Sequence, residues 1–362
     1  MTRALPDAVA ARARAVLDAG VGVRTPGLQY VAVTAAGPLL EHVAGAADVA
    51  RGAPIGPATT LMAYSMSKTV TAAAVLTLVA SRALALDDAA QRFVDDWPYG
   101  PAVTVRQLLA HTSGIPNPIP LRWVHLASRA QEFDERAALA AVLRASPRLV
   151  SAPGTRYRYS NIGYWLLGRV VERASGQPFV NYVTRHVLAP LGIAPWELGY
   201  AIPDASRHAA GYLARWSLLN FAKRFLLDRE LIGGYEGRWL RIASHYVNGP
   251  AFGGLVGSAR GFGKFLRDQL RDRSSLLDGD TRSLFLEPQR LGSGETIPMT
   301  LGWHVGSLDG RRVLYKEGGG GGFHALMRVY SDAGLATVVL ANSTSFDVAS
   351  RLDAVDRVLL AS

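Results

Sequence analysis

This chain has strand-like runs near both ends and a helical, loop-rich stretch between them. The β-prone runs occupy residues 28–34, 38–43, 301–305, 311–315, 324–330 and 335–341. Apolar residues at helical spacing occur at about 65–80, 105–110, 137–145, 164–174, 262–270 and 348–360. We therefore predict an α/β fold: one antiparallel sheet built from both chain termini and flanked by helices, with an inserted, mainly helical lobe.

A chain of 362 residues is longer than a typical single domain, so two lobes packed against each other are expected. We predict an α/β sandwich lobe from residues 1–85 and 287–362 and a helical lobe from residues 86–286, with a site where the lobes meet. Residues 215–246 carry aromatic and aliphatic side chains among six Arg or Lys residues. This segment forms either a lid or pocket wall, a packed helix pair with basic outer faces, or a membrane-surface element.

Composition excludes several classes of protein. A hydrophobic share of 49% and a charged share of 19% are typical of a globular chain, and no apolar run approaches the ~20 residues that span a bilayer. The absence of cysteine removes disulfides and thiolate catalysis. The net charge of +10 comes from scattered arginines, so no nucleic-acid partner is expected. Residues 1–20 lack the apolar core of a signal peptide, which predicts a cytoplasmic location.

The first candidate catalytic motif is Ser65-Met66-Ser67-Lys68, at the start of an apolar helix. Helical residues three apart lie on one face with Cβ atoms about 5–6 Å apart, so the Lys68 amine can reach the Ser65 hydroxyl. A serine hydroxyl is a weak nucleophile and needs an adjacent base, which a lysine supplies when burial or a nearby cation lowers its pKa. Alone, a Ser-x-x-Lys motif is far more often part of a capped surface helix than of a catalytic site.

Two further motifs carry polar groups suited to the same reaction. Tyr159-Ser160-Asn161 follows a Pro-Gly turn, and its phenol and amide can face one cleft; Tyr157 is a nearby rival for the phenol. Lys316-Glu317-Gly318 lies at the end of a predicted strand and opens into the glycine run 318–322. Without the other motifs, these stretches would be a helix cap and a glycine-rich turn.

In this order, the three motifs resemble those of the serine β-lactamase-like superfamily, which includes class C β-lactamases, penicillin-binding DD-peptidases and related esterases. That superfamily is marked by Ser-x-x-Lys, Tyr-x-Asn and Lys-x-Gly or His-x-Gly. Further matching stretches are residues 108–114, 153–164, 253–255, 302–303 and 322–323. The resemblance covers nearly the whole chain.

The resemblance implies an acyl-enzyme at Ser65, with Lys68 and Tyr159 sharing the duties of general base and general acid. It implies that Asn161 orients the acyl group and that Lys316 tunes the tyrosine electrostatically. Which base acts first is left open.

The resemblance also implies an oxyanion hole made by the backbone N–H groups of Ser65 and Gly319. His111 lies in a matching stretch, but we expect a buried turn histidine bonded to backbone rather than a catalytic one. No histidine spacing such as His-Glu-x-x-His occurs, so no metal is expected, and no cofactor is implied.

The third motif departs from the superfamily pattern at Glu317, where enzymes acting on β-lactams or peptide C-termini typically carry Thr or Ser. A carboxylate in the substrate site would repel an anionic substrate, so Glu317 is predicted to favour a neutral ester, or an amide, as the small-molecule substrate. The alternatives are a β-lactamase or D-amino-acid peptidase, or an acyltransferase, using the same residues. A non-catalytic binding protein of the same fold is the alternative from another class.

Overall fold

The computed structural model describes residues 5–118, 123–217, 220–221 and 228–362. Its strands, in chain order, are β1 (Gly27–Thr34), β2 (Gly37–Asp48), β3 (Ala53–Pro54), β4 (Leu61–Met62), β5 (Val124–Leu126), β6 (Leu198–Gly199), β7 (Gly211–Ala214), β8 (Ile232–Glu236), β9 (Trp239–Ile242), β10 (His245–Val247), β11 (Val256–Gly257), β12 (His304–Leu308), β13 (Arg311–Gly320), β14 (Phe323–Tyr330) and β15 (Leu335–Ala341).

The α-helices are α1 (Asp7–Asp18), α2 (Ser67–Ala80), α3 (Val105–Leu109), α4 (Glu135–Ala145), α5 (Asn161–Ser175), α6 (Phe179–Val183), α7 (Pro250–Gly253), α8 (Ala259–Gln269), α9 (Gly279–Leu286) and α10 (Val348–Leu360). Short 3-10 turns occur at Tyr64–Met66, Ala90–Phe93, Ala127–Glu132, Ala189–Leu191, Arg229–Leu231 and Ser331–Ala333, and a π turn at Thr184–Leu188. None of the helices in the described residues is long and apolar enough to cross a membrane.

The strand-like runs from the two chain ends form one seven-stranded antiparallel sheet, in the order β12-β13-β14-β15-β1-β2-β3. The ends meet where β1 pairs with β15, with Leu28 opposite Ala341. Every residue of β15 is buried, as its run of aliphatic residues predicts for a central strand covered on both faces. The predicted α/β fold, with its sheet built from both termini, is confirmed.

Alternate residues of β1 enter different hydrophobic clusters on the two faces of the sheet. Tyr30 and Ala32 pack with helices α1 and α10, whereas Val31 and Val33 pack in the main core with α2, α5 and α8. This period of two is the usual geometry of a strand. The sheet therefore lies between a pair of terminal helices and the helices that carry the motifs.

The inserted part contains more β-structure than its helical spacing predicted. Three small antiparallel sheets contain strands of this part among the described residues: β5 with β10, β6 and β11 with β4 from before the insertion, and β7 with β8 and β9. The prediction of a packed helix pair at 215–246 is wrong for the stretch 232–247, which forms β8, β9 and β10. Leu218, Leu219, Phe225 and Leu226 of that segment lie outside the described residues.

Candidate active site

Ser65 lies in the 3-10 turn Tyr64–Met66 that leads into α2. The preceding residue, Tyr64, has a φ of 45°, a left-handed conformation that is uncommon for a bulky residue. One turn further on, the Lys68 amine lies 2.9 Å from Ser65 Oγ and donates a second hydrogen bond of 2.7 Å to the Phe252 carbonyl. The predicted approach of lysine to serine is therefore present, on a turn that is tighter than an α-helix.

The surroundings of Lys68 favour its neutral form. The side chain is fully buried, and its Nζ atom lies 5.0 Å from the ring centroid of Tyr159 and 5.3 Å from that of Phe252. Burial, with a smaller contribution from the positive charge of Lys316, holds the pKa of Lys68 well below its usual range. A neutral amine beside a serine hydroxyl is able to take its proton.

Tyr159 contacts the same serine from the loop that precedes α5. Its hydroxyl lies 2.8 Å from Ser65 Oγ, whereas the rival Tyr157 points its hydroxyl at His304, 3.3 Å away. Burial raises the pKa of Tyr159, so the phenol stays protonated and can act as a hydrogen-bond or proton donor.

The loop that carries Tyr159 is held by His111. The Ser160 N–H donates to His111 Nδ1 at 3.1 Å, and the Arg158 N–H donates to the His111 carbonyl at 2.7 Å. The imidazole also packs on the Tyr159 ring, with centroids 4.4 Å apart. Burial and the neighbouring Lys316 lower the pKa of His111, so it is a neutral, backbone-bonded turn residue that positions the tyrosine.

Lys316 on β13 is completely buried behind Tyr159, with its Nζ 5.0 Å from that ring. Burial lowers the pKa of Lys316 to about 7. Its hydrogen-bond partner is His304 Nε2, 3.2 Å away, and burial together with Lys316 and Lys68 lowers the pKa of His304 to about 2. Sequence reasoning missed His304; its only signal is its place directly after the matching Gly302-Trp303 pair.

The turn Tyr64–Met66 carries the candidate nucleophile Ser65, and we call it the nucleophile turn. The glycine run continues β13 alongside this turn instead of opening a loop. A Cβ atom at Gly318 would lie 2.1 Å from the Ala63 carbonyl oxygen and 2.9 Å from the Ser65 nitrogen, and one at Gly320 would overlap the Tyr64 ring. Only glycine permits this approach. It brings Gly319 to the cavity beside Ser65, where the resemblance expects the second oxyanion donor.

Glu317 points to the other face of β13. Its carboxylate lies 2.6 Å from His324 Nε2, and the same imidazole contacts the Phe346 carbonyl at 2.6 Å, beside α10. Because neighbouring residues of a strand face opposite sides, Glu317 lies away from Lys316 and Gly318 and does not line the cavity. The expectation that this carboxylate repels an anionic substrate therefore loses its basis.

A cavity of about 170 Å³ opens beside Ser65. Its apolar wall consists of Trp123, Val124, Leu231, Ile242, Val247 and Phe252. Asn161, at the start of α5, contributes an amide, and the described residues of the lining include no Asp, Glu, Lys or Arg. Segment 215–246 thus supplies part of the wall, through Leu231, Ile242 and His245.

Tyr64 and His245 form a hydrogen-bonded pair in the wall of this cavity. The Tyr64 hydroxyl lies 2.6 Å from His245 Nε2, and His245 Nδ1 lies 2.8 Å from the Ala243 carbonyl. Since only a protonated Nδ1 can bond to a carbonyl, Nε2 accepts the phenolic hydrogen. No motif predicts this pair, because its members are 181 residues apart. No group of three or more His, Asp or Glu side chains suited to a metal occurs in the described part of the chain.

Comparison with known proteins identifies relatives. Residues 13–361 match the family model described as Beta-lactamase. The chain is 25% identical over 308 residues to a penicillin-binding protein of Bacillus subtilis, covering 84% of this chain and 65% of the relative. It is 32% identical over 228 residues to Esterase EstB of Burkholderia gladioli, covering 56% of this chain and 55% of the esterase. It thus spans less than two thirds of the length of either relative.

The fold also matches solved structures. That of D-amino acid amidase from Ochrobactrum anthropi aligns with a TM-score of 0.81 over 97% of this chain and 99% of the amidase, at 19% identity. At that identity, the match shows a shared fold.

Proposed function

This chain belongs to the Beta-lactamase family, and from that premise we propose that it hydrolyses a neutral carboxylic ester through an acyl-enzyme on Ser65. The observation that carries the proposal is the hydrogen-bonded group of Ser65, Lys68 and Tyr159 beside an apolar cavity whose described lining contains no charged residue. The hydrogen-bonded group supports acyl transfer, and the uncharged lining of the cavity supports an uncharged substrate.

The lowered pKa of Lys68 and the raised pKa of Tyr159 suit the two proton transfers of acylation. Ser65 Oγ attacks the ester carbonyl carbon while the neutral Lys68 amine takes the hydroxyl proton, and the carbonyl electron pair moves onto oxygen. The N–H groups of Ser65 and Gly319 stabilise that oxyanion. When the carbonyl reforms, the C–O bond to the alcohol breaks and the leaving oxygen receives the proton of Tyr159. The Lys68 ammonium then returns its proton to the Tyr159 phenolate, since both groups lie against Ser65 Oγ.

Deacylation uses the same groups in reverse. A water molecule attacks the acyl carbon, its proton passes to the Tyr159 and Lys68 pair, and Ser65 Oγ leaves with a proton as the carboxylic acid is released. An acyltransferase differs only in replacing this water by an alcohol or amine, so added alcohols discriminate the two functions by diverting the acyl group from hydrolysis.

The cavity takes the acyl side of the ester. The leaving oxygen must lie beside Tyr159 to receive its proton, and Tyr159 does not line the cavity. The acyl group, which remains on Ser65, therefore points away from Tyr159 and into the cavity. A dry cavity of ~150 Å³ holds benzene, so about 170 Å³ suits an acyl group of roughly six carbons.

The absence of charged side chains from the described cavity lining argues against the other activities named for similar proteins. A D-amino-acid amide carries an α-ammonium group, and the described lining offers it no carboxylate. A β-lactam carboxylate finds no arginine or lysine in that lining. A non-catalytic binding protein has no need of a buried lysine with a lowered pKa beside a serine.

The test is a rate profile over nitrophenyl esters of increasing acyl length, nitrocefin and D-phenylalanine amide, with Ser65→Ala as control. We expect the highest kcat/KM near a six-carbon acyl group and a fall of about tenfold or more beyond eight carbons. Ile242→Ala should move the optimum to longer chains. Faster turnover of nitrocefin or of the amide than of every ester contradicts the proposal.

A further inference from the structure

Exposed hydrophobic side chains are concentrated on one face of this protein. Among the described residues, six large hydrophobic side chains are exposed. Of these, Val23 and Trp216 line one surface depression, Tyr235 stacks with Arg215 of the same lining, and the Phe221 N–H donates to the carbonyl of Ser217, which also lines it. Trp216 and Phe221 are 84% and 77% exposed. Exposed apolar residues scattered singly need no explanation, but a cluster of this kind marks an interaction surface.

The cluster is continuous with three arginines. Val23, Arg24, Trp216 and Arg238 line one surface depression of about 580 Å³. The Arg215 guanidinium stacks on the Tyr235 ring at 5.1 Å. We call the surface formed by Val23, Arg24, Arg215, Trp216, Phe221 and Arg238 the Trp216 face.

The three arginines of the Trp216 face are available to an external anion. No ion pair joins Arg24, Arg215 or Arg238 to a carboxylate in the described residues, and no acidic residue lines the depression. Arg241, on the same small sheet, instead has Asp48 and Glu236 as partners. Among the residues that the structure describes, the Trp216 face therefore presents positive charge without a carboxylate partner around exposed aromatic rings.

We infer that the Trp216 face docks on an anionic lipid surface, with Trp216 and Phe221 entering the headgroup region and Arg24, Arg215 and Arg238 contacting lipid phosphates. Tryptophan favours the membrane interface, and arginines near an anionic surface each add to the attraction. A second copy of this chain fits poorly, because a twofold contact would bring six arginines together. The inference does not depend on the ester chemistry.

The docking surface adjoins the substrate cavity through the small sheet of β7, β8 and β9. Ala214, Arg215 and Arg238 lie at one end of this sheet's β7–β9 pair, where Ala214 is opposite Trp239. Ile242, at the other end of β9, lines the cavity. A lipid surface on the Trp216 face therefore lies on the lobe that forms the cavity wall.

Sedimentation of the full chain with vesicles tests the inference. We expect binding to phosphatidylcholine vesicles that contain phosphatidylglycerol, weakened by salt, and little binding to phosphatidylcholine alone. The double variant Trp216→Ser, Phe221→Ser should lose about tenfold or more in partition coefficient. The triple variant Arg24→Gln, Arg215→Gln, Arg238→Gln should lose roughly 100-fold.

Trp196→Ser is the matched control, since Trp196 is 66% exposed at another site. It should bind like the unaltered chain, and all variants should keep their rate on a dissolved ester, which shows that they fold. Equal binding to both kinds of vesicle, no binding, or an equal loss in Trp196→Ser overturns the inference. So does a dimer that the double variant abolishes, because the Trp216 face would then bind a second copy.

Discussion

Lys68 and Lys316 are two buried lysines whose amines lie over the same Tyr159 ring. Burial lowers the pKa of both, and the charge of Lys316 lowers that of Lys68 further. In the proposed mechanism Lys68 must be neutral to accept the Ser65 proton, so we expect activity to be lost as pH falls through its pKa. Lys316 therefore helps to extend activity toward acid pH.

Lys316→Met tests this electrostatic role. Removing the charge removes one of the two causes that lower the Lys68 pKa, so the acid limb of the kcat/KM profile should move to higher pH. The measurement is a pH profile of ester hydrolysis for both proteins. An acid limb that stays in place, or moves to lower pH, contradicts the electrostatic account, whatever happens to the maximal rate.

Tyr64 has the role of a positioning residue. Its hydroxyl bonds His245 and its ring packs against Gly320, which ties the nucleophile turn to the cavity wall and to strand β13. Tyr64→Phe should lower kcat by roughly tenfold with little change in KM, because a buried partner is left unsatisfied while the ring stays. His245→Gln, which keeps an acceptor, should retain more kcat than His245→Leu. Equal values for those two variants would rule out the hydrogen bond as the cause.

The contacts of Ser65, Lys68 and Asn161 with their local turns were predictable, because spacing along a helix or loop fixes them. Tyr159 was predictable only through its motif, since 94 residues separate it from Ser65. His304 and the Tyr64–His245 pair have no such spacing. Their roles depend on which strands the fold brings together, and a single sequence does not encode that in a short pattern.

Strand β13 and the nucleophile turn form one closely packed unit. Gly318→Ala would place a methyl group 2.1 Å from the Ala63 carbonyl oxygen, so either the strand or the turn must shift. A displacement near 1 Å at a reacting group costs about 100-fold, and we expect a loss of that order in kcat/KM. Gly279→Ala is the control, because nothing lies within 4 Å of a Cβ atom there. A Gly318→Ala protein as active as this control would contradict the close packing.

The end of strand β13 could not be predicted from the sequence pattern. The sequence predicts a strand over 311–315 followed by a glycine turn, whereas β13 runs on to Gly320. Glycine has no strand preference of its own, and the extension is stabilised by pairing, with Gly319 opposite His324. The consequence is functional: this pairing directs Glu317 to one face and Lys316 to the other.

At the scale of the whole molecule, the alternating runs at both chain ends were sufficient to predict the central sheet. The small sheets of the inserted part were not predicted, because strands such as β6, Leu198–Gly199, are too short to show periodicity. Two of these sheets contribute His245 and Ile242 to the cavity wall, so the proposed acyl pocket is built partly from the least predictable part of the fold.

Because several histidines are buried as neutral groups, we expect the free energy of unfolding to fall at acid pH. Burial lowers the pKa of His111, His208, His245 and His304, with His208 at about 4. Unfolded histidines protonate below about pH 6.5. Their contribution to stability is therefore complete above that pH and is lost as pH falls, by up to about 1.4 kcal/mol per pH unit for each.

Asp356 acts in the opposite direction, because burial raises its pKa to about 6 and protonation then favours the fold. Four histidines outweigh one carboxylate. Urea unfolding should show a free energy of unfolding that falls steeply between pH 6.5 and pH 5. A constant free energy over that interval would contradict the burial of these imidazoles as neutral groups.

The central claim is that Ser65 forms an acyl-enzyme, and acid-quenched mass spectrometry of the protein with a nitrophenyl hexanoate ester tests it most directly. We predict a mass increase of one hexanoyl group on the peptide that contains Ser65, and its absence in Ser65→Ala, with hydrolysis reduced by at least about 10⁴-fold in that variant. An adduct on another residue, or hydrolysis by Ser65→Ala at the rate of the unaltered chain, would contradict the account.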